Sequence, residues 1–179
     1  MVANRDTIRN SQSSFGFFRG ATGAKYTIDP ARPDFTNTPV SPHRPRFDYT
    51  PADPSVSPCV TILTPFYNTG TVFHETAQTI FQQSLQQWEW IIINDASTNM
   101  EALAILNQYR HCDPRVRIID LPVNQGPSAA RNRGFREATA PIVVLLDSDN
   151  LLEPTAAEKW AWFLESYPEF SFVKGYSVG

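Results

Sequence analysis

The stretch Ile142-Val-Val-Leu-Leu-Asp-Ser-Asp-Asn150 decides the reading of this chain. From Ile142 to Leu146 it is apolar without a break. A run of that length is short for a helix and fits a strand buried on both faces, as the strands of a parallel sheet are. The strand then delivers two carboxylates one residue apart, Asp147 and Asp149. Two anions so close repel one another, which favours a cation between them or a raised pKa. Hard carboxylate oxygens suit Mg2+ or Mn2+, ions that keep waters and bridge to phosphates. The competing reading makes Asp149 a cap for the following helix. A calcium loop counted from Asp147 reaches Glu158 at its twelfth position, but Leu151 and Leu152 then stand where an oxygen ligand and a glycine are needed.

Upstream of this stretch the same pattern repeats. Val60 to Thr64 is a β-branched, apolar run that Pro65 is expected to end. Trp90 to Ile93 and Val116 to Leu121 give two more strands. Between Thr71 and Leu85, Val72, Phe73, Ala77, Ile80, Phe81 and Leu85 recur at helical spacing. Glu101 to Tyr109, Ser128 to Ala138 and Thr155 to Tyr167 read as further helices, and Phe170 to Tyr176 begins a fifth strand. Strands alternating with helices over short connections predict an α/β fold, a mostly parallel sheet with helices on both faces.

In such a sheet, ligands bind beyond the carboxyl ends of the strands. The polar residues of this sequence gather at those ends: Pro65-Phe-Tyr-Asn68, Asn94-Asp95-Ala96-Ser97-Thr98, Asn124-Gln-Gly126 and Asp147-Ser-Asp149-Asn150. Asp95 can accept hydrogen bonds from a base or a ribose hydroxyl, or form an Asx-turn at a strand end. Tyr67 can stack on a base or close the core. Arg131 lies on a helix opened by Gly126-Pro-Ser128, where free N–H groups favour an anion and a guanidinium suits a diphosphate. Arg133 and Arg136 read as solvated surface, as do His43, His74 and His111, which share no ligand spacing. Glu153, Glu158 and Glu165 fall on or near the last helix at a spacing that points them mainly at solvent.

Residues 1–58 have a different character. Eight of the fifteen prolines lie between Pro30 and Pro58, and proline removes a backbone donor and disfavours helix before it. This segment is expected to be an irregular, Pro-rich N-terminal arm, with residues 59–179 forming the domain. The arm's aromatics are able to clamp it to the domain. A net charge of −3 argues against nucleic acid as the main partner. Cys59 and Cys112, the only cysteines, cannot build a disulfide framework and are expected to be reduced thiols. No apolar run reaches the ~20 residues of a membrane span, and Arg5, Asp6 and Arg9 interrupt any signal-peptide pattern. The chain is expected to be cytoplasmic, with a place at the membrane's cytoplasmic face open to a longer parent protein.

Four segments in order resemble the nucleotide-binding part of family 2 glycosyltransferases, which have the GT-A (Rossmann-like) fold: Val60–Asn68, Ile91–Asn99, Asn124–Gly134 and Ile142–Asn150. The resemblance runs from about Cys59 to Gly179. It implies that Pro65 and Tyr67 line the nucleotide base and that Asp95 contacts the base or ribose. Arg131 would lie near the base and phosphates. Asp147 and Asp149 would hold Mn2+ or Mg2+ against a nucleotide diphosphate sugar, with a UDP-sugar the first expectation, Asp147 also touching the nucleotide. The implied reaction is transfer of the sugar, with inversion, to an acceptor hydroxyl that loses its proton to a carboxylate base. The sequence departs from the family pattern at Ala96, where glycine is usual, and at Asn99, where aspartate is usual. It also supplies no evident base after Asp149, so the GT-A domain is expected to be incomplete on its C-terminal side. The alternative is a module that binds a nucleotide sugar without chemistry. A different α/β nucleotide binder, such as a dinucleotide enzyme or a nucleotidyltransferase, is disfavoured, because no G-x-G-x-x-G follows the first strand and no P-loop is present. The acceptor hydroxyl would belong to a glycan, a lipid or a protein.

Overall fold

A computed structural model of the chain describes residues 2–4, in backbone alone, and residues 57–175. The strands are β1 (Val2–Asn4), β2 (Val60–Phe66), β3 (Trp88–Asn94), β4 (Val116–Asp120), β5 (Ile142–Leu145) and β6 (Phe172–Val173). The helices are α1 (Val72–Phe81), α2 (Met100–Tyr109), α3 (Pro127–Glu137) and α4 (Ala156–Ser166). One sheet takes all the strands in the order β4-β3-β2-β5-β1-β6. β2, β3, β4 and β5 are parallel, while β1 runs antiparallel between β5 and β6.

Chain order and handedness dictate where the helices lie. From β2 through β3 to β4 the chain steps one way across the sheet, and from β4 it returns past β2 to β5. Right-handed crossovers therefore put α1 and α2 on one face and α3 on the other. The core divides accordingly. Val60, Ile62, Trp88, Trp90, Ile92 and Val144 pack with Phe73 and Ile80 of α1, Ile105 and Leu106 of α2, and Ala157 and Ala161 of α4. The alternate residues Leu63, Ile91, Ile93 and Val143 turn to the other face and pack with Ala130 of α3. Strand β3 is buried along its full length, as a central strand covered on both faces should be.

Helix α3 meets the sheet at Gly134, where a Cβ would come within 2.0 Å of Leu63 Cδ1. The glycine is what allows the close approach of helix to strand.

Four sequence expectations need correcting. Pro65 does not end the first strand of the domain, which continues to Phe66. The reason is register: β5 stops pairing at Leu145, opposite Leu63, while β3 pairs on to Phe66. By strand alternation the nitrogen of Pro65 faces the β5 side, beyond its last paired residue, so no ladder bond is lost. Glu158 does not face solvent. It is buried, and its carboxylate accepts a 2.7 Å hydrogen bond from the Ser84 hydroxyl. The N-terminal arm is not irregular throughout, since Val2–Asn4 forms β1; residues 5–56 lie outside the described residues. The strand expected from Phe170 spans only Phe172–Val173, and Tyr176 is not described.

Candidate functional site

Each parallel strand ends at the same edge of the sheet, and the loops that leave it are tied to one another by side chains. After β2 come Tyr67, half exposed at 49%, and Asn68, which adopts φ 52°. Asparagine is among the few side chains that tolerate this left-handed conformation. In that pose its backbone N–H donates to Ser97 Oγ at 3.0 Å. Its side-chain oxygen accepts from the N–H groups of Thr98 and Asn99 at 2.8 and 2.9 Å. Asn68 thus latches the β2 exit to the β3 exit.

In the β3 exit, Asn94 Oδ1 accepts from Ser97 N–H, an Asx-type turn. Ala96 sits at φ 55°, which explains why glycine is the usual residue there: a Cβ in the left-handed region costs roughly 1–2 kcal/mol. Asn99 is the N-cap of α2, its Oδ1 accepting from Ala102 N–H at 3.0 Å. Asparagine caps helices about as well as aspartate, so this departure leaves the loop intact.

Asp95 is 2% exposed. Its two oxygens accept from the backbone N–H groups of Gln125 (2.9 Å) and Gly126 (2.7 Å), fixing the β3 exit to the turn that opens α3. Gly126 adopts φ 86°, a conformation that favours glycine, and Pro127 follows at the start of the helix, where its missing N–H costs nothing. One helical turn on, Arg131 donates from its guanidinium to Asp147 Oδ1 at 2.5 Å. The loop after β5 is a turn closed by Asn150 N–H on the Asp147 carbonyl (3.2 Å). Ser148 shares a 2.6 Å hydrogen bond with Thr69, which leads back to the β2 exit.

The four exits form a closed ring: Asn68 to Ser97–Asn99, Asp95 to Gln125–Gly126, Arg131 to Asp147, and Ser148 to Thr69. The structure brings together Arg131 and Asp147 directly, and Asp95 with the start of the helix that carries Arg131. Pro65 stands half-buried at the end of β2, beside Tyr67. Asp149 is exposed, and among the described residues nothing is bonded to its carboxylate. Thr69 and Ser148, which close the ring, carry no reading of their own in the sequence. The run of Asn, Ser and Thr at two successive strand ends was the available signal, because these side chains bond back to loops.

The donor chemistry at the β5 exit fits a hard divalent cation. Asp147 keeps one oxygen clear of Arg131 and its side chain is 45% exposed, and Asp149 is free. No cluster of three or more His, Cys, Asp or Glu exists among the described residues. A site of this kind suits an ion that keeps waters and takes phosphate oxygens, as Mg2+ and Mn2+ do, rather than an all-protein cage.

At the opposite edge of the sheet, Glu89 is buried. Burial by itself would raise its pKa, but hydrogen bonds from Thr61 and Thr139 and the charge of Arg117 outweigh it and hold the carboxyl below its ordinary value. This group braces the amino ends of the strands and takes no part in the rim.

An α/β sheet with an acidic, hydrogen-bonded rim at the carboxyl ends of its parallel strands is the class that fold and site define. The chain belongs to glycosyl transferase family 2, which it matches over residues 61–176. It is 36% identical over 122 residues to the Bacillus subtilis (strain 168) protein named "Putative teichuronic acid biosynthesis glycosyltransferase TuaG", covering 68% of this chain and 48% of that one. It is 35% identical over 107 residues to a Haemophilus influenzae "Uncharacterized glycosyltransferase", covering 60% of this chain and 42% of the relative. The chain therefore spans less than half the length of these relatives. Among solved structures, S. aureus TarS 1-349 in complex with UDP-GlcNAc superposes with a TM-score of 0.55 at 23% identity, covering 61% of this chain and 32% of that one. That similarity supports the GT-A fold. No helix among the described residues is long and apolar enough to cross a membrane.

Proposed function

We propose that this chain is the donor-binding part of an inverting glycosyltransferase that takes a nucleotide diphosphate sugar, a UDP-sugar first, together with Mn2+ or Mg2+. The observation that carries the reading is the Arg131–Asp147 pair at the start of the Asp147-Ser-Asp149 turn. A carboxylate suited to a cation and a guanidinium suited to phosphate stand in contact on the rim that also carries Tyr67 and Asp95. That TarS was crystallised with UDP and with UDP-GlcNAc on the same fold supports a uridine nucleotide.

Asp147 and Asp149 would hold the divalent ion, and Arg131 would turn from Asp147 to the diphosphate. When bound, the ion supplies a Lewis acid that stabilises charge on the departing diphosphate. Tyr67, exposed at the end of β2, offers its ring face to the base, with Pro65 beside it. Asp95 is largely committed to the α3 turn, so its part is to hold that turn while any free lone pair meets the base or ribose. The acceptor hydroxyl and the carboxylate that deprotonates it belong to the whole enzyme's reaction, as does inversion.

Thermal unfolding with UDP, GDP and dTDP, each with and without Mn2+, tests the reading. A ligand that binds only the folded state raises the melting temperature by mass action, and UDP with Mn2+ is expected to do so. No rise with any nucleoside diphosphate and metal overturns it.

A further inference from the structure

We propose that Thr76 and Thr69 are positioning residues for the Asp147–Asn150 turn, acting through Ser148, so that α1 serves as a splint for the metal ligands. The inference rests on the donor-site reading of that turn.

The turn needs an external support. Strand β5 ends at Leu145, and the ladder's last bond runs from Leu146 N–H to the Leu63 carbonyl at 3.1 Å. Beyond it the carboxylates have only one short turn beneath them. Ser148, the residue between them, is held at two points. Its carbonyl accepts from the Thr76 hydroxyl at 3.1 Å, and its hydroxyl meets that of Thr69 at 2.6 Å. Thr76 is 0% exposed, so water cannot readily replace its bond.

The support continues along α1 and the residues just past its end. Thr79 Oγ1 accepts from Leu152 N–H at 3.2 Å. The Gln83 amide donates to the Glu153 carbonyl at 2.8 Å and accepts from Ala157 N–H at 3.0 Å. Ser84 N–H donates to the Pro154 carbonyl at 2.7 Å. Thr76 and Thr79 lie one turn apart on α1, and Gln83 and Ser84 follow in the connection beyond its last residue, Phe81. These residues bind successive groups from Ser148 to Ala157, so the segment after the first carboxylate is seated on α1 and on the connection that follows it. Thr69, in the loop that carries Tyr67, ties the expected nucleoside end of the site to the metal end.

Groups behind the ligands set their orientation, and losing one commonly weakens metal affinity by about 10–100-fold. The test uses the 179-residue chain with Thr76→Val and Thr69→Val, which keep shape and lose the hydroxyl, against Thr76→Ser and Thr69→Ser, which keep it. Mn2+ affinity is measured by electron paramagnetic resonance with saturating UDP, uridine affinity by calorimetry without metal, and exchange of the Asn150 amide by NMR. Each valine variant is expected to weaken Mn2+ binding by about 10-fold or more, to leave uridine binding within about 2-fold and to speed Asn150 exchange; the serine variants are expected to match the parent. Valine variants that bind Mn2+ like the parent overturn the inference. Equal losses of uridine and Mn2+ affinity also overturn it, since they mark a merely structural role. If the parent itself shows no Mn2+-dependent UDP binding, the donor reading has failed, and unchanged Asn150 protection in Thr76→Val then overturns this inference separately.

Discussion

Asp95 Oδ2 accepts the N–H of Gly126 at 2.7 Å across 31 residues of sequence, while Oδ1 takes the N–H of Gln125. A buried carboxylate at the end of one strand thereby sets the conformation from which α3, and with it Arg131, begins. Asp95→Asn presents an amide N–H to one of these donors. Folding stability is expected to fall by about 1–3 kcal/mol, the usual cost of a buried donor left without its partner. Urea unfolding of the two proteins measures it; an unchanged midpoint would show that the clamp is dispensable.

Arg131 is expected to behave differently. Its pair with Asp147 is solvent-accessible on both sides, 29% and 45%, and pairs of that kind contribute about 0–1 kcal/mol. Arg131→Gln should scarcely alter the melting temperature. It should weaken UDP binding in Mn2+ by about 10-fold or more, the loss of one charge-assisted hydrogen bond, and leave uridine binding unchanged. Calorimetry with the two ligands separates the outcomes, and equal affinity for UDP would remove Arg131 from the site.

Removing the metal ligand should divide the site in the same way. Asp149→Asn is expected to abolish the added stabilisation that Mn2+ gives UDP, with EDTA reproducing the effect in the parent chain. Uridine, which has no phosphate for the ion to grip, should bind both proteins alike. A parallel loss for uridine would contradict the division into a metal end and a nucleoside end.

Ala96 at φ 55° offers a gain rather than a loss. Ala96→Gly removes the Cβ strain of the left-handed region, partly offset by greater freedom of the unfolded chain, for a net stabilisation of about 0.5–1 kcal/mol. Chemical denaturation tests it, and a lower midpoint would mean that the Ala96 methyl makes contacts worth more than the strain.

Glu89 predicts the acid limb of the stability curve. Its folded pKa lies below its ordinary value, so its contribution is fully present above the unfolded-state pKa and disappears as pH falls through the folded one. Glu89→Gln should therefore be less stable than the parent near neutrality and should lose less on acidification. Unfolding midpoints from neutral pH into the acid range decide this; parallel curves would show that Glu89 does not contribute through its charge.

Much of this was legible one residue at a time. The apolar runs at Ile62, Trp90 and Val144, and the helical spacing of Phe73, Ala77 and Ile80, follow from burial and period. Both are local properties, so the βα alternation and the gathering of Tyr67, Asp95, Arg131, Asp147 and Asp149 at one edge were readable from sequence by itself. What required the tertiary structure was pairing across long separations. Pro65 lies inside a strand because its neighbour on one side has already stopped. Glu158 is buried because Ser84, far away in sequence, meets its carboxylate. Val2–Asn4 enters the sheet although nothing in three residues distinguishes it from the arm that follows. Asp95 spends its oxygens on the Gln125–Gly126 turn, a choice made by the distance between two strand ends. Period and polarity state which side of an element a residue occupies; only the packed chain states which partner waits there, because hydrogen-bond partners are set by position in space and not by order along the chain.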